Sequence, residues 1–324
     1  MARKFRVAAA SVAIAAVASS ALAISPAQAD AEPINYVVAV NQAVAEVTQI
    51  LASGTAVDGY TWQGTPDGLG AIKNSDGTIT VFVTHEFSAS DAFVAALDRT
   101  YGGFGSDIAA VVFNPTTHTV VSAKSAIKQA LWYDYSTGKY SDTPGAPEDA
   151  AANDSYATPN HTVAINRFCS ATLAKTGDLL FKGTKKVAYF VKKNGKKVKK
   201  YKTVLVNFGT KDPIFMTNEE GSDESRIFGL NTKTGSLVQL PALGLGSFEN
   251  SPIAPASATK KATVAMINED GDSTDSQLFM YKGTKLSAGA WYEKAGLTNG
   301  VRYVADVLNS GVSVGNDIAA RTAL

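Results

Sequence analysis

From Thr61 onward the chain alternates short β-branched or apolar runs with tight-turn signals, which restricts it to folds assembled from hairpins. Thr78 to Val83 follows the turn Asn74-Ser75-Asp76-Gly77, and Ile108–Phe113 and Thr119–Ser122 flank Asn114-Pro115-Thr116-Thr117. Arg226–Leu230 and Leu237–Leu240 flank a turn over 231–235, and Ala262–Ile267 and Gln277–Tyr281 add two further runs. Val187–Val191 and Lys199–Val206 flank Asn194-Gly195, the dipeptide that most readily takes positive φ at both positions of a two-residue hairpin loop. Many short strands and few helices predict an all-β sandwich, barrel or propeller. No repeat period is visible that would select among them. One helix is expected in the middle of 30–53, where Val37, Val38, Val40, Val44, Val47, Ile50 and Leu51 recur at mixed three and four spacing. The polar stretch 141–160 reads as a surface loop.

The first 29 residues read as a leader rather than as fold. Arg3, Lys4 and Arg6 precede an alanine-rich apolar run from Val7 to Ala23, and Ala27-Gln28-Ala29 fits a cleavage site. That is the three-part pattern of a secretory signal peptide. The mature chain is expected to begin near Asp30 and to be secreted or periplasmic, with no membrane span after the leader. Cys169 is the single cysteine, so an exported chain of this kind holds itself together by its core and makes no internal disulfide.

Charge is unevenly spread. Beyond the leader there are 27 basic against 29 acidic residues, but ten of the lysines lie between Lys182 and Lys202, with no acid among them. The remainder is acidic and carries one basic ribbon. Alternation of lysine with apolar residues there predicts a solvated β-ribbon with its lysines on one face, and lysine on an exposed ribbon also blocks edge-to-edge pairing. An anionic surface is a possible partner for it; nucleic acid is not expected, since no stacking aromatics are read on the lysine face.

Ionisable residues gather at strand ends. Thr78–Val83 runs into His85-Glu86; 214–217 into Asn218-Glu219-Glu220 and on to Asp223; Ser247-Phe248 into Glu249; and 264–267 into 268–272, with Glu269, Asp270 and Asp272. Arg167-Phe168-Cys169-Ser170 adds a thiol. Each acidic end alone is an ordinary surface turn. Several together repel unless a cation neutralises them, and carboxylates with one thiolate suit a mixed hard and transition-metal site. No GxSxG, P-loop, HExxH or CxxC is present, so no catalytic residue is assigned.

The segments TPDGLGAIKNSDGTITVFVTHEF, RFCSATL, PIFMTNEEGSDESRIFG, LVQLPALGLGSFENSP, VAMINEDGDSTDSQLFMYKG and EKAGLTNG, in this order from about Thr61 to Gly300, resemble the PhoX-type secreted alkaline phosphatases and their shorter exported relatives. The resemblance implies a six-bladed β-propeller with iron and calcium at its axis and hydrolysis of phosphomonoesters. It makes 30–324 one propeller domain, expected to be incomplete, because the family's later Arg-Pro-Glu segment has no counterpart. By the same resemblance the metals fall to Glu86, Cys169, Glu220, Glu249 and Asp270, with Asp272 a weaker ligand. His85, Glu219 and Asp223 would support these from behind, His85 by orienting Glu86. The alternative is a non-catalytic exported propeller that binds calcium, with the lysine ribbon as an anion-binding surface.

Overall fold

The computed structural model describes residues 39–41, 44, 46–87, 99, 101, 104–142, 164–221, 225–255, 261–271 and 276–305. Residues 1–29, most of the 141–160 stretch, Asp223 and Asp272 lie outside the described residues. Residues 46–51 are irregular rather than helical. Val37 and Val38, at the start of the expected helix, lie outside the described residues; Val40, Val44 and Val47 are exposed, so the spacing there builds no apolar face.

Strands dominate from residue 56. A two-residue ladder, β1 (Ala56–Val57) with β2 (Tyr60–Thr61), leads into β3 (Pro66–Lys73) and β4 (Ile79–His85). Then come β5 (Phe104–Gly105), β6 (Asp107–Asn114), β7 (Thr119–Ser125), β8 (Gln129–Asp134) and β9 (Lys139–Ser141). β10 (Ala164–Ile165), β11 (Phe168–Ala174), β12 (Leu180–Lys193) and β13 (Lys196–Gly209) follow. The last group is β14 (Ile214–Glu219), β15 (Ile227–Asn231), β16 (Ser236–Gln239), β17 (Phe248–Asn250), β18 (Ala262–Glu269), β19 (Leu278–Thr284), the single-turn α1 (Trp291–Lys294) and β20 (Val301–Val304).

These strands make three antiparallel meanders of four: β3-β4-β6-β7, β11-β14-β15-β16 and β17-β18-β19-β20. Each has the make-up of a propeller blade. β8 and β9 extend the second meander beyond β16, β8 pairing parallel to it. The repeat is hidden in the sequence because the connections differ so much. The β3–β4 turn is short, whereas the corresponding β11–β14 connection carries the whole β12–β13 hairpin. No helix among the described residues is long and apolar enough to cross a membrane.

Alternation along the strands fills the spaces on either side of each sheet. Phe82, Ile108 and Ala110 face Phe168, Phe215 and Phe228 between the first two meanders. Ile214, Met216 and Leu240 meet Phe248, Ile267 and Tyr281 between the second and third. β14 and β15 are therefore buried on both faces along their whole lengths. The opposite face of the first meander, with Val83, Ala109 and Val111, is covered by Trp62, Tyr60 and Leu51.

The lysine hairpin is a regular fourteen-pair ladder closed by Asn194-Gly195, whose φ angles of 51° and 76° are those of a type I′ turn. Its register corrects the expectation of one lysine face. Cross-strand partners share a face and successive pairs alternate, so Lys193↔Lys196 and Tyr189↔Lys200 fall on one side, and Lys192↔Lys197, Phe190↔Lys199 and Ala188↔Tyr201 on the other. Adjacent lysines such as Lys192-Lys193 and Lys196-Lys197 must split between faces in a period-2 strand. Stacking aromatics do share a face with lysine.

Candidate metal centre

The first two strands of all three meanders are built the same way at one end. Pro66 pairs with His85, Phe168 with Glu219, and Phe248 with Glu269. Each ladder slips immediately afterwards, at Pro66/Leu69, Phe168/Ala171 and Phe248/Asn250. The next residue on the first strand is Asp67, Cys169 or Glu249. The next on the second is Glu86, Glu220 or Asp270. The backbone N–H of each of these last three donates to the residue entering the first strand: Glu86 to Thr65 (2.9 Å), Glu220 to Arg167 (3.1 Å), Asp270 to Ser247 (2.8 Å). A bulge bends a strand and re-aims the side chain beside it. Here it does so three times, and five of the six side chains gather at one place, with Asp270 at its edge.

The ligand atoms of Asp67, Glu86 and Cys169 lie within 4.8 Å of one another, and so do those of Cys169, Glu220 and Glu249. The thiol is the common member. Its Sγ is 3.1 Å from Asp67 Oδ2 and 3.4 Å from Glu249 Oε2. Asp270 is exposed, and its carboxyl is among the groups that push the Glu220 carboxyl up. Close approach of β3 and β11 makes this possible. A Cβ at Gly68 would sit 2.3 Å from the Ala171 nitrogen, so the PDG motif needs glycine beside the aspartate. Beneath the cluster, Thr84 Oγ1 donates to the Cys169 carbonyl (2.7 Å) and Asn250 Nδ2 to Ser170 Oγ (2.9 Å), pinning the strands that carry it.

Burial lifts the Cys169 thiol far above its usual range, helped by the Asp67 and Glu220 carboxylates. Burial also raises Glu220; hydrogen bonding from Cys169 and the charge of Arg167 pull it back, and Asp270 and Glu249 push it up again. Arg167 is the cation of the cluster. It donates through Nε to Glu86 Oε1 (3.2 Å), more closely through Nη2, and reaches Glu220 Oε2 at 3.5 Å. Its side chain is 42 % exposed, which places it at the rim. Five carboxylates and one guanidinium leave a strong excess of negative charge, and a bound cation offsets such an excess. The donor set fits metal: carboxylate oxygens suit calcium, and a thiol loses its proton to a transition metal such as iron.

The structure thus brings Glu86, Cys169, Glu220 and Glu249 together, with Asp270 alongside. Asp67 and Arg167 complete the group; both stand in segments already conspicuous in the sequence, but a lone Pro-Asp-Gly reads as a turn and a lone Arg as surface. Glu219 turns the other way, as the residue beside Glu220 must in a strand. Its carboxylate is buried and accepts from Arg226 Nε and Nη2, both at 2.6 Å, and from the backbone N–H groups of Arg226 and Asn166. His85 also points away from Glu86. Its Nδ1 is 2.6 Å from the Gly64 carbonyl, an acceptor only, so Nδ1 carries the proton and Nε2 accepts from the Tyr60 hydroxyl at 3.4 Å. Burial lowers its pKa, and Trp62 and Phe87 pack against the neutral ring. It braces the strand end rather than the Glu86 carboxylate. Asp223 and Asp272 fall outside the described residues.

No family model matches the chain, and no curated protein does. Among solved structures it is similar to Pseudomonas fluorescens PhoX in complex with vanadate, a transition state analogue, with a TM-score of 0.39 and 10% identity over 74% of this chain and 45% of that one. The chain spans less than half the length of that protein.

Proposed function

We propose that this chain is an exported, metal-dependent phosphomonoester hydrolase of the PhoX type. The observation that carries the reading is the buried thiol ringed by carboxylates from three equivalent, bulged strand pairs. Asp67, Glu86, Cys169, Glu220 and Glu249 would hold the ions, iron at the thiol and calcium among the carboxylates. Such ions supply Lewis-acid charge and an acidified water for displacement at phosphorus. Arg167 would meet the phosphoryl oxygens at the rim, its guanidinium held in place by Glu86 and Glu220. The Glu219–Arg226 pair and the Thr84 and Asn250 hydrogen bonds keep the strand ends fixed, so the carboxylates do not spread apart when an anion enters. The 1–29 leader supports export.

The test is elemental analysis of the purified mature chain beside turnover of a chromogenic phosphomonoester. Bound iron and calcium with turnover, both lost in Cys169→Ser, are expected. A chain that retains no metal and turns over no ester overturns the reading. Calcium retained without iron or turnover would leave a non-catalytic ion-binding protein.

A further inference from the structure

The β12–β13 hairpin has a composition that blocking a sheet edge does not require. No residue from 180 to 207 is buried. One face presents Phe190, Tyr201 and Leu205, which are 64 %, 61 % and 75 % exposed, among Lys186, Lys197 and Lys199. The Lys199 ammonium lies 5.5 Å from the centre of the Tyr201 ring, and on the other face Lys202 lies 6.0 Å from that of Tyr189. Among the described residues the rest of the molecule holds the ribbon toward its base, where Lys185 Nζ also donates to Ser287 Oγ at 3.3 Å. Phe208 is buried against Phe181, Lys261 sits over the Phe208 ring at 4.4 Å, and the Gly209 N–H donates to the Leu286 carbonyl. At about 3.4 Å per residue the ladder is roughly 45 Å long.

The geometry points to an anionic phospholipid bilayer as the partner of this ribbon. Ten lysines without an acid supply long-range attraction to a negative surface. Aromatic rings flanked by lysine are the side chains that settle at the headgroup level, ring toward the hydrocarbon and ammonium toward the phosphates. Two features argue against nucleic acid. Every cation of the ribbon is lysine, a point charge, where arginine supplies bidentate phosphate and base contacts. A two-stranded ribbon exposed on both faces also offers no groove to track a strand, and exposed Leu205 gains nothing from stacked bases. This surface is independent of the carboxylate cluster, and its test does not depend on hydrolysis.

The experiment is co-sedimentation of the mature chain, beginning at Asp30, with vesicles of phosphatidylglycerol and phosphatidylcholine, with phosphatidylcholine alone, and, in a separate arm, binding to a single-stranded oligonucleotide. Binding to the anionic vesicles only is expected. It should weaken at least tenfold in Phe190→Ser/Tyr201→Ser/Leu205→Ser, which keeps every lysine, and in Lys193→Gln/Lys196→Gln/Lys197→Gln/Lys199→Gln. Thermal midpoints establish that both variants are folded. A Tyr201→Trp chain, whose ribbon is otherwise native, should show a blue shift of its added emission on anionic vesicles. Three results overturn the proposal: no vesicle binding, vesicle binding indifferent to the loss of the three apolar side chains, or binding to the oligonucleotide without binding to vesicles.

Discussion

The acidic cluster and the lysine hairpin are both made from antiparallel strand pairs, and they treat the ladder in opposite ways. In β12–β13 the register is unbroken for fourteen pairs, so like charges are dealt alternately to two faces and held in water. In β3–β4, β11–β14 and β17–β18 the register slips after the first pair, and like charges are turned toward one point. A regular ladder disperses charge, whereas a bulged one concentrates it. Concentration has to be supported from behind, by the Glu219–Arg226 pair and by the Asp107–Arg99 contact on the strand that pairs with His85. Dispersal needs no such support.

If that contrast is right, damage behind the cluster should cost most. Arg226→Ala leaves the Glu219 carboxylate buried without its guanidinium and should lower unfolding free energy by about 3–5 kcal/mol, read by urea denaturation. A loss below about 1 kcal/mol would mean the pair is dispensable, as surface pairs are.

Asp107 gives the pH counterpart. Burial raises its carboxyl from 3.8 to about 6, with Arg99 offsetting only part of the cost. A folded-state pKa above the unfolded one stabilises while the group is protonated, below about pH 4, and that stability is lost as pH rises through about 6. The expected loss is about 3 kcal/mol between those limits, and Asp107→Asn should flatten it. An unchanged profile in the variant would remove Asp107 from this account.

Within the cluster, the proposed hydrolase reading expects Cys169→Ser to lower iron content and turnover together by about 100-fold, the upper end of what even an outer partner of a ligand costs. Metal content unchanged in Cys169→Ala would make the thiol an ordinary buried side chain.

The smallest effect belongs to the ribbon. Replacing Lys193, Lys196, Lys197 and Lys199 by Gln should move stability by no more than about 0.5 kcal/mol and leave bound metal unaltered. A larger change would show that the hairpin is part of the structural frame.

The sequence made some of this legible. Asn194-Gly195 marks its hairpin without ambiguity, and the strand runs at 78–83, 108–113 and 262–267 are recovered nearly to the residue. The chemistry-bearing ends at Glu86, Cys169, Glu220 and Glu249 stand out because a plain strand has no use for them. What stays hidden is register. Nothing local distinguishes Glu219, which turns inward to Arg226, from Glu220, which turns to the cluster; a one-residue slip would exchange them. The same ignorance put every lysine of the ribbon on one face and denied it its aromatics. Asp67 was missed because it becomes a partner of Cys169 only when β3 crosses β11 at Gly68.

The backbone bond shared by Glu86, Glu220 and Asp270 makes the three strand pairs repeats of one local design, side by side, with the Cys169 pair in common to both ligand groups. They are filled unequally: aspartate with glutamate, cysteine with glutamate, glutamate with aspartate. The thiol is the one odd letter, and it breaks the symmetry. Moving it from the second slot to the first, as Asp67→Cys/Cys169→Asp, would keep the inventory of ligands constant while exchanging two neighbouring positions and leaving Glu249 and Asp270 where they are. Any change in metal preference or turnover after that exchange would then report placement alone: which neighbours face the thiol, and on which side of it Arg167 stands.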